Sequence, residues 1–147
     1  MNLTFVKGSG KFDELTVRRE NGTTQKINCP KQGIIPHDMI HYAVESVLAH
    51  RGFLSLVAQG QTVGYAAKGD SGEEAVERLV ETFQAEMWGG RVPAADLIAT
   101  YEHACGARGH GIVAVSPDEI EAIRARLDDL DRRWADLAVN GTLTLRL

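Results

Sequence analysis

The segment Pro36-His37-Asp38-Met39-Ile40-His41-Tyr42-Ala43-Val44-Glu45 concentrates side chains that do chemistry. His37, His41 and Glu45 fall four residues apart, so a helix stacks them in one row along its flank. Two imidazoles at i and i+4 can turn one ring nitrogen each toward a single cation, and neutral imidazole is a preferred zinc ligand. Glu45 is an awkward third ligand, because it lies two turns from His37, roughly 12 Å along the axis. More distant candidates are His103, Cys105 and His110, grouped between Glu102 and His110. They complete a metal site only if their helix lies against the first one. The start of the first helix also exposes free backbone N–H groups, which with the helix dipole favour an anion. On that reading His37, Asp38, His41 and Glu45 line a ligand site, although the carboxylate of Asp38 opposes an anion.

Ordinary structural roles compete with each of these. His37 fits the first helical turn, His41 and Tyr42 fit boundary positions with polar tips, and Glu45 fits a solvated flank. The pattern H-D-x-x-H differs from the HExxH helix of zinc peptidases at its second position, where aspartate is one methylene shorter than the water-activating glutamate. The pair His37-Asp38 is also similar to that of HD-type phosphohydrolases, but no histidine precedes His37 to serve as their upstream ligand. Gly8-Ser9-Gly10-Lys11 lacks phosphate-loop spacing, and no G-x-S-x-G elbow occurs. Cys29, followed by Pro30, has no basic neighbour in sequence to activate it. No residue is assigned a catalytic role.

The stretch from Lys31 to Glu45, written G-x-x-P-H-D-x-x-H-Y-x-x-E from Gly33, resembles a block found in small uncharacterised bacterial proteins. The tail from Arg133-Trp134 through Gly141-Thr142-Leu143-Thr144-Leu145 is similar to theirs as well. The resemblance covers the central block and about the last fifteen residues. It implies no activity, and it points to the same helix start.

Strand periods come first. Leu3 and Phe5 alternate with Thr4 and Val6, and Leu15 and Val17 alternate with Thr16 and Arg18. Asn21-Gly22 predicts a type I′ hairpin into a strand from Thr23 to Cys29, which Pro30 ends. Helical spacing then takes over, with Ile40, Ala43, Val44 and Val47 as the buried stripe and Gly52 as the stop. Residues 53–69 predict a short helical turn and a loop. A long helix from Ser71, with a Ser71/Glu74 capping box, carries Val76, Leu79, Val80, Phe83 and Met87 and closes at Gly89-Gly90. A further helix runs from Pro93 to Cys105, burying Leu97, Ile98 and Tyr101, with a loop over Gly106–Gly111. Ser116-Pro117-Asp118-Glu119 starts the clearest helix, with Ile120, Ile123, Leu127, Leu130, Trp134 and Leu137 inside and Asn140-Gly141 at its end. Asp128–Arg132 and Asp129–Arg133 are its expected surface pairs. The last strand places Leu143, Leu145 and Leu147 on one face.

Strands at both ends and helices between them predict an α+β domain spanning residues 1–147. Its mostly antiparallel four-stranded sheet combines the N-terminal meander with the C-terminal strand, and three to four helices cover one face. The 147 residues suffice for one domain with its own core. Sixteen Lys+Arg against 20 Asp+Glu give a net charge of −4 with no basic run, which excludes nucleic acid as an expected partner. No apolar stretch approaches the roughly 18 residues of a membrane span, and no secretory signal opens the chain. Two cysteines make no disulfide framework, so a cytoplasmic protein is expected. The functional expectation is a non-enzymatic module, in one copy or as a homodimer, that binds a protein or small ligand without a cofactor. The alternative is a metal-dependent hydrolase built on His37 and His41 with a divalent ion such as zinc.

Overall fold

The computed structural model describes residues 1–49, 53–60 and 71–147, except the side chain of Ser71. Strands β1 (Asn2–Val6), β2 (Phe12–Arg18), β3 (Thr24–Pro30) and β4 (Thr142–Arg146) form one antiparallel sheet in the order β3-β2-β1-β4. This is the expected α+β arrangement: a meander whose first strand also pairs with the C-terminal one. Leu3 stands opposite Val17 and Leu145, and Phe5 opposite Leu15 and Leu143. All six side chains are buried, while Thr16, Lys26 and Thr144 look away from the core. A one-residue slip would turn the whole apolar set to water, so burial fixes the register.

The hairpin between β2 and β3 departs from the expected type I′ turn. Arg19 N–H bonds Thr23 O at 2.9 Å, which leaves Glu20, Asn21 and Gly22 as a three-residue connection. Only Gly22 takes a positive φ, +85°, as in turns that end on one left-handed residue. Asn21 instead uses its side chain, accepting from the backbone N–H of Thr23 at 3.0 Å.

Among the described residues five helices follow, one more than the upper count expected: α1 (His37–Leu48), α2 (Phe53–Ala58), α3 (Ser71–Gly89), α4 (Ala94–Arg108) and α5 (Pro117–Ala135). α1 packs against α3 and α5, and α4 packs against the same two helices. α2 has six residues, too few to persist alone. Buried Leu54 and Val57 hold it, and Arg19 Nε donates to Val57 O at 2.7 Å near its C-terminal end. α1 ends on Ala49 at φ 53°; the expected stop at Gly52 lies outside the described residues. α3 begins at Ser71 itself, and the expected Ser71 cap also falls outside them.

α4 runs three residues past the expected end, through Gly106 to Arg108, and stops at Gly109 with φ 72°. Burial of Leu97, Tyr101 and Cys105 at four-residue spacing extends the packed face beyond the point where glycine suggested a loop. The Tyr101 hydroxyl then holds the following segment, donating to Val113 O and accepting from Val113 N–H, both at 2.8 Å.

α5 has the full capping box expected of Ser116 and Glu119. It stops at Ala135, short of Asn140, and Leu137 packs beyond it. The Lys7 ammonium donates to the carbonyls of Trp134 at 2.9 Å and Leu137 at 3.0 Å, satisfying groups that a helix end leaves open. Asp129–Arg133 pairs as expected at 3.4 Å. Asp128–Arg132 does not pair: Arg91 takes Asp128 at 2.5 Å, and Arg132 turns to Asp129 at 2.7 Å. Among the described residues, no helix is long and apolar enough to cross a membrane.

Candidate metal centre

Ile40, Ala43 and Val44 bury one stripe of α1, and this sets the neighbouring flank against α3. Four-residue spacing brings the His37 and His41 rings to 4.9 Å between centroids. Both Nε2 atoms face a single carboxylate from α3. His37 Nε2 lies 3.2 Å from Glu77 Oε1, and His41 Nε2 lies 2.8 Å from Glu77 Oε2. The far side of each ring is also engaged. His37 Nδ1 stands 2.5 Å from the amide oxygen of Gln84, and His41 Nδ1 stands 3.2 Å from Glu45 Oε2.

A metal-loaded imidazole that binds through Nε2 must carry its hydrogen on Nδ1, and both Nδ1 atoms already have an acceptor. Tetrahedral ligands with bonds of about 2.1 Å stand roughly 3.4 Å apart. One ligand atom each from His37, His41 and Glu77 lie within 4.8 Å of one another, a separation that small side-chain movements would close to that spacing.

Glu45 is not the solvated flank that its polarity suggested, nor is His41 a boundary residue; both are only 2% exposed. The Glu45 carboxylate accepts from the N–H of Leu54 at 3.2 Å, and from the N–H and hydroxyl of Ser55, each at 3.0 Å. It therefore caps α2 while it holds His41, and it serves the histidine from the side opposite the cluster.

Burial opposes charge on His41, but its hydrogen bonds to Glu45 and Glu77 and their negative charge outweigh that, lifting its pKa to about 10. Glu77, although partly buried, is held well below the usual carboxylate range by hydrogen bonds from His37 and His41 and by their charge. His37 is displaced upward: burial and the nearby His41 oppose its charge, and Glu77 and Gln84 more than compensate. Asp38 is pushed up by burial, against the pull of both histidines. It accepts a weak bond from Cys29 Sγ at 3.8 Å and stands outside the three-donor group. Burial and the Asp38 carboxylate push the Cys29 thiol up to about 12.

His103, Cys105 and His110 do not join His37 and His41. His103 is exposed on α4, Cys105 is buried in the core, and His110 Nδ1 lies 3.0 Å from Gly111 O. α4 packs on α3 and α5, and its Cys105 and His103, like His110 just past its end, stand apart from the three-donor group. Among the described residues, His37, His41 and Glu77 form the only group with metal-ligand spacing.

Sequence reasoning missed Glu77 and Gln84. They sit seven residues apart on α3, hence on one face, beside the stripe of Val76, Val80, Phe83 and Met87. Two long polar side chains at that interval flanking a buried stripe were the available signal, but nothing local says that α3 meets α1 there. No protein-family model matches the chain, no curated protein matches its sequence, and no solved structure matches its fold.

Proposed function

We propose that this chain is a metal-binding protein in which His37, His41 and Glu77 hold one divalent ion, with Gln84 and Glu45 orienting the two rings. The carrying observation is the convergence of both Nε2 atoms on Glu77 while each Nδ1 meets its own acceptor. Two imidazole nitrogens and one carboxylate oxygen suit zinc and its borderline neighbours, whereas calcium and magnesium favour all-oxygen shells. This reading departs from the cofactor-free module expected from the sequence and takes its ion from the alternative built on His37 and His41.

A second reading, metal-dependent hydrolysis, is favoured by access. The His37 and Glu77 side chains are 36% and 32% exposed, so a held ion keeps one side toward solvent. Three protein ligands and one water is the arrangement of catalytic zinc, which makes bound water a nucleophile near neutral pH. Two buried, unpaired thiols, Cys29 and Cys105, support a reducing compartment such as the cytoplasm.

Elemental analysis of protein purified without an affinity tag, followed by zinc titration of the stripped chain, tests the site. One equivalent of zinc is expected for wild type, and none at micromolar concentration for His41→Ala or Glu77→Gln. Folded wild-type protein that takes up no zinc, manganese or iron would overturn the reading. Release of product from a generic phosphoester or amide panel, lost in Glu77→Gln, would separate the hydrolase from the pure binder.

A further inference from the structure

We propose that Glu45 couples metal occupancy to the docking of α2, so that the ion regulates this short helix and the helix in turn regulates the ion. The inference rests on the metal reading above. One buried carboxylate serves both partners: Oε2 meets His41 Nδ1 and the Leu54 N–H, each at 3.2 Å, and Oε1 meets the Ser55 N–H and hydroxyl, each at 3.0 Å. A second contact runs in parallel, since the Phe53 ring that opens α2 packs 5.6 Å from the His41 ring. Among the described residues, the hydrogen bonds from the start of α2 to α1 thus converge on the carboxylate that also holds His41, alongside the packing of buried Leu54.

An ion on His41 Nε2 replaces the hydrogen bond to Glu77 with a directional metal bond that fixes the ring plane, and Nδ1–H, a donor with or without the ion, then stays aimed at Glu45. That pins Glu45 Oε2, and the rigid carboxylate then presents Oε1 to the α2 amides. The far end of α2 is held separately, by Arg19 Nε on Val57 O at 2.7 Å, and that bond touches neither ligand nor Glu45. Because coupling between two sites is reciprocal, loosening α2 at Arg19 must weaken zinc as surely as removing zinc loosens α2.

Amide hydrogen exchange of the full chain, stripped and zinc-loaded, reads the link directly. Zinc is expected to raise the protection of the Leu54 and Ser55 amides by about tenfold, inside the usual range for linked sites, while amides of α4 and β4 change little. In Arg19→Ala, zinc stoichiometry should remain one and zinc affinity should fall by roughly 5- to 10-fold, at the low end of that same range. In Glu45→Gln, added zinc should no longer change protection at Leu54 and Ser55. Stoichiometric zinc with unchanged exchange at those amides would overturn the coupling and leave the metal site standing. Absence of zinc uptake would overturn both. Unaltered zinc affinity in a folded Arg19→Ala chain would equally refute the link.

Discussion

Arg124 of α5 and Glu86 of α3 form a two-pronged ion pair inside the helical layer, with side chains only 6% and 7% exposed. Nε reaches Oε2 at 3.1 Å and Nη2 meets Oε1. Nη2 also donates to Val92 O at 2.7 Å, and Nη1 pairs with Glu121 at 2.9 Å. One guanidinium thereby joins α3, α5 and the chain between α3 and α4. Removing one partner of such a pair strands a buried charge, whereas replacing both with apolar groups does not. Arg124→Ala should lose about 3–5 kcal/mol of stability in urea unfolding. The double variant Arg124→Met/Glu86→Leu should lose much less, and equal losses in the two chains would refute this account.

Gly8 shows a different constraint. A Cβ there would stand 2.0 Å from the carbonyl oxygen of Phe12, so the crossing from β1 to β2 admits only glycine. At Gly10, two residues on, an added Cβ meets nothing within 4 Å. Gly8→Ala should therefore cost roughly 1–3 kcal/mol, as other forced insertions into packed structure do. Gly10→Ala should be near neutral. A thermal-melt comparison of the two variants checks the contrast, and it fails if they behave alike.

The parts of the molecule that were legible in sequence are those governed by local rules. Alternation in Leu3/Phe5 and Leu143/Leu145 named the buried face of the sheet, and Ser116/Glu119 named the start of α5. Local signals misled where a distant group intervened. Tertiary packing of Cys105 carried α4 through Gly106, and Arg91 drew Asp128 away from Arg132. Two of the three donors of the candidate centre were visible for the same reason: His37 and His41 lie one turn apart on one helix. Glu77 comes from 36 positions beyond His41 in the sequence, and only the packing of α1 on α3 joins them.

The two thiols should be slow to react. Burial and the neighbouring Asp38 raise Cys29 to about 12, and burial raises Cys105, whose side chain lies beside Tyr101. The thiolate is the nucleophile, so native protein at pH 8 should resist iodoacetamide, and both positions should label within minutes in denaturant. Mass spectrometry of the alkylated chain reads the result. Rapid native labelling of Cys29 would show that β3 and the start of α1 open far more often than their packing allows.

The metal-free cluster and the metal-loaded one should respond to pH in opposite ways. In the metal-free chain His41 carries its proton up to about 10, against an ordinary value of 6.5, because Glu45 and Glu77 outweigh its burial. A group whose pKa rises on folding stabilises fully below its unfolded value, so this contribution is complete below about 6.5 and fades as pH climbs toward 10. Glu77 is displaced downward from 4.5, so its contribution is present above that value and is lost as acid is added. The cluster therefore stabilises the metal-free fold most between about 4.5 and 6.5. Zinc must displace a proton from His41, so its affinity should rise with pH, by about tenfold per unit for each proton released. Unfolding of wild type and Glu77→Gln, each stripped of metal, isolates the first effect: the stability difference should shrink from pH 6 to pH 9.5. Adding zinc to wild type should restore stability at pH 9 and do little at pH 5.5. A wild-type advantage that grows with pH in the metal-free pair would contradict the charge assignment of His41 and Glu77.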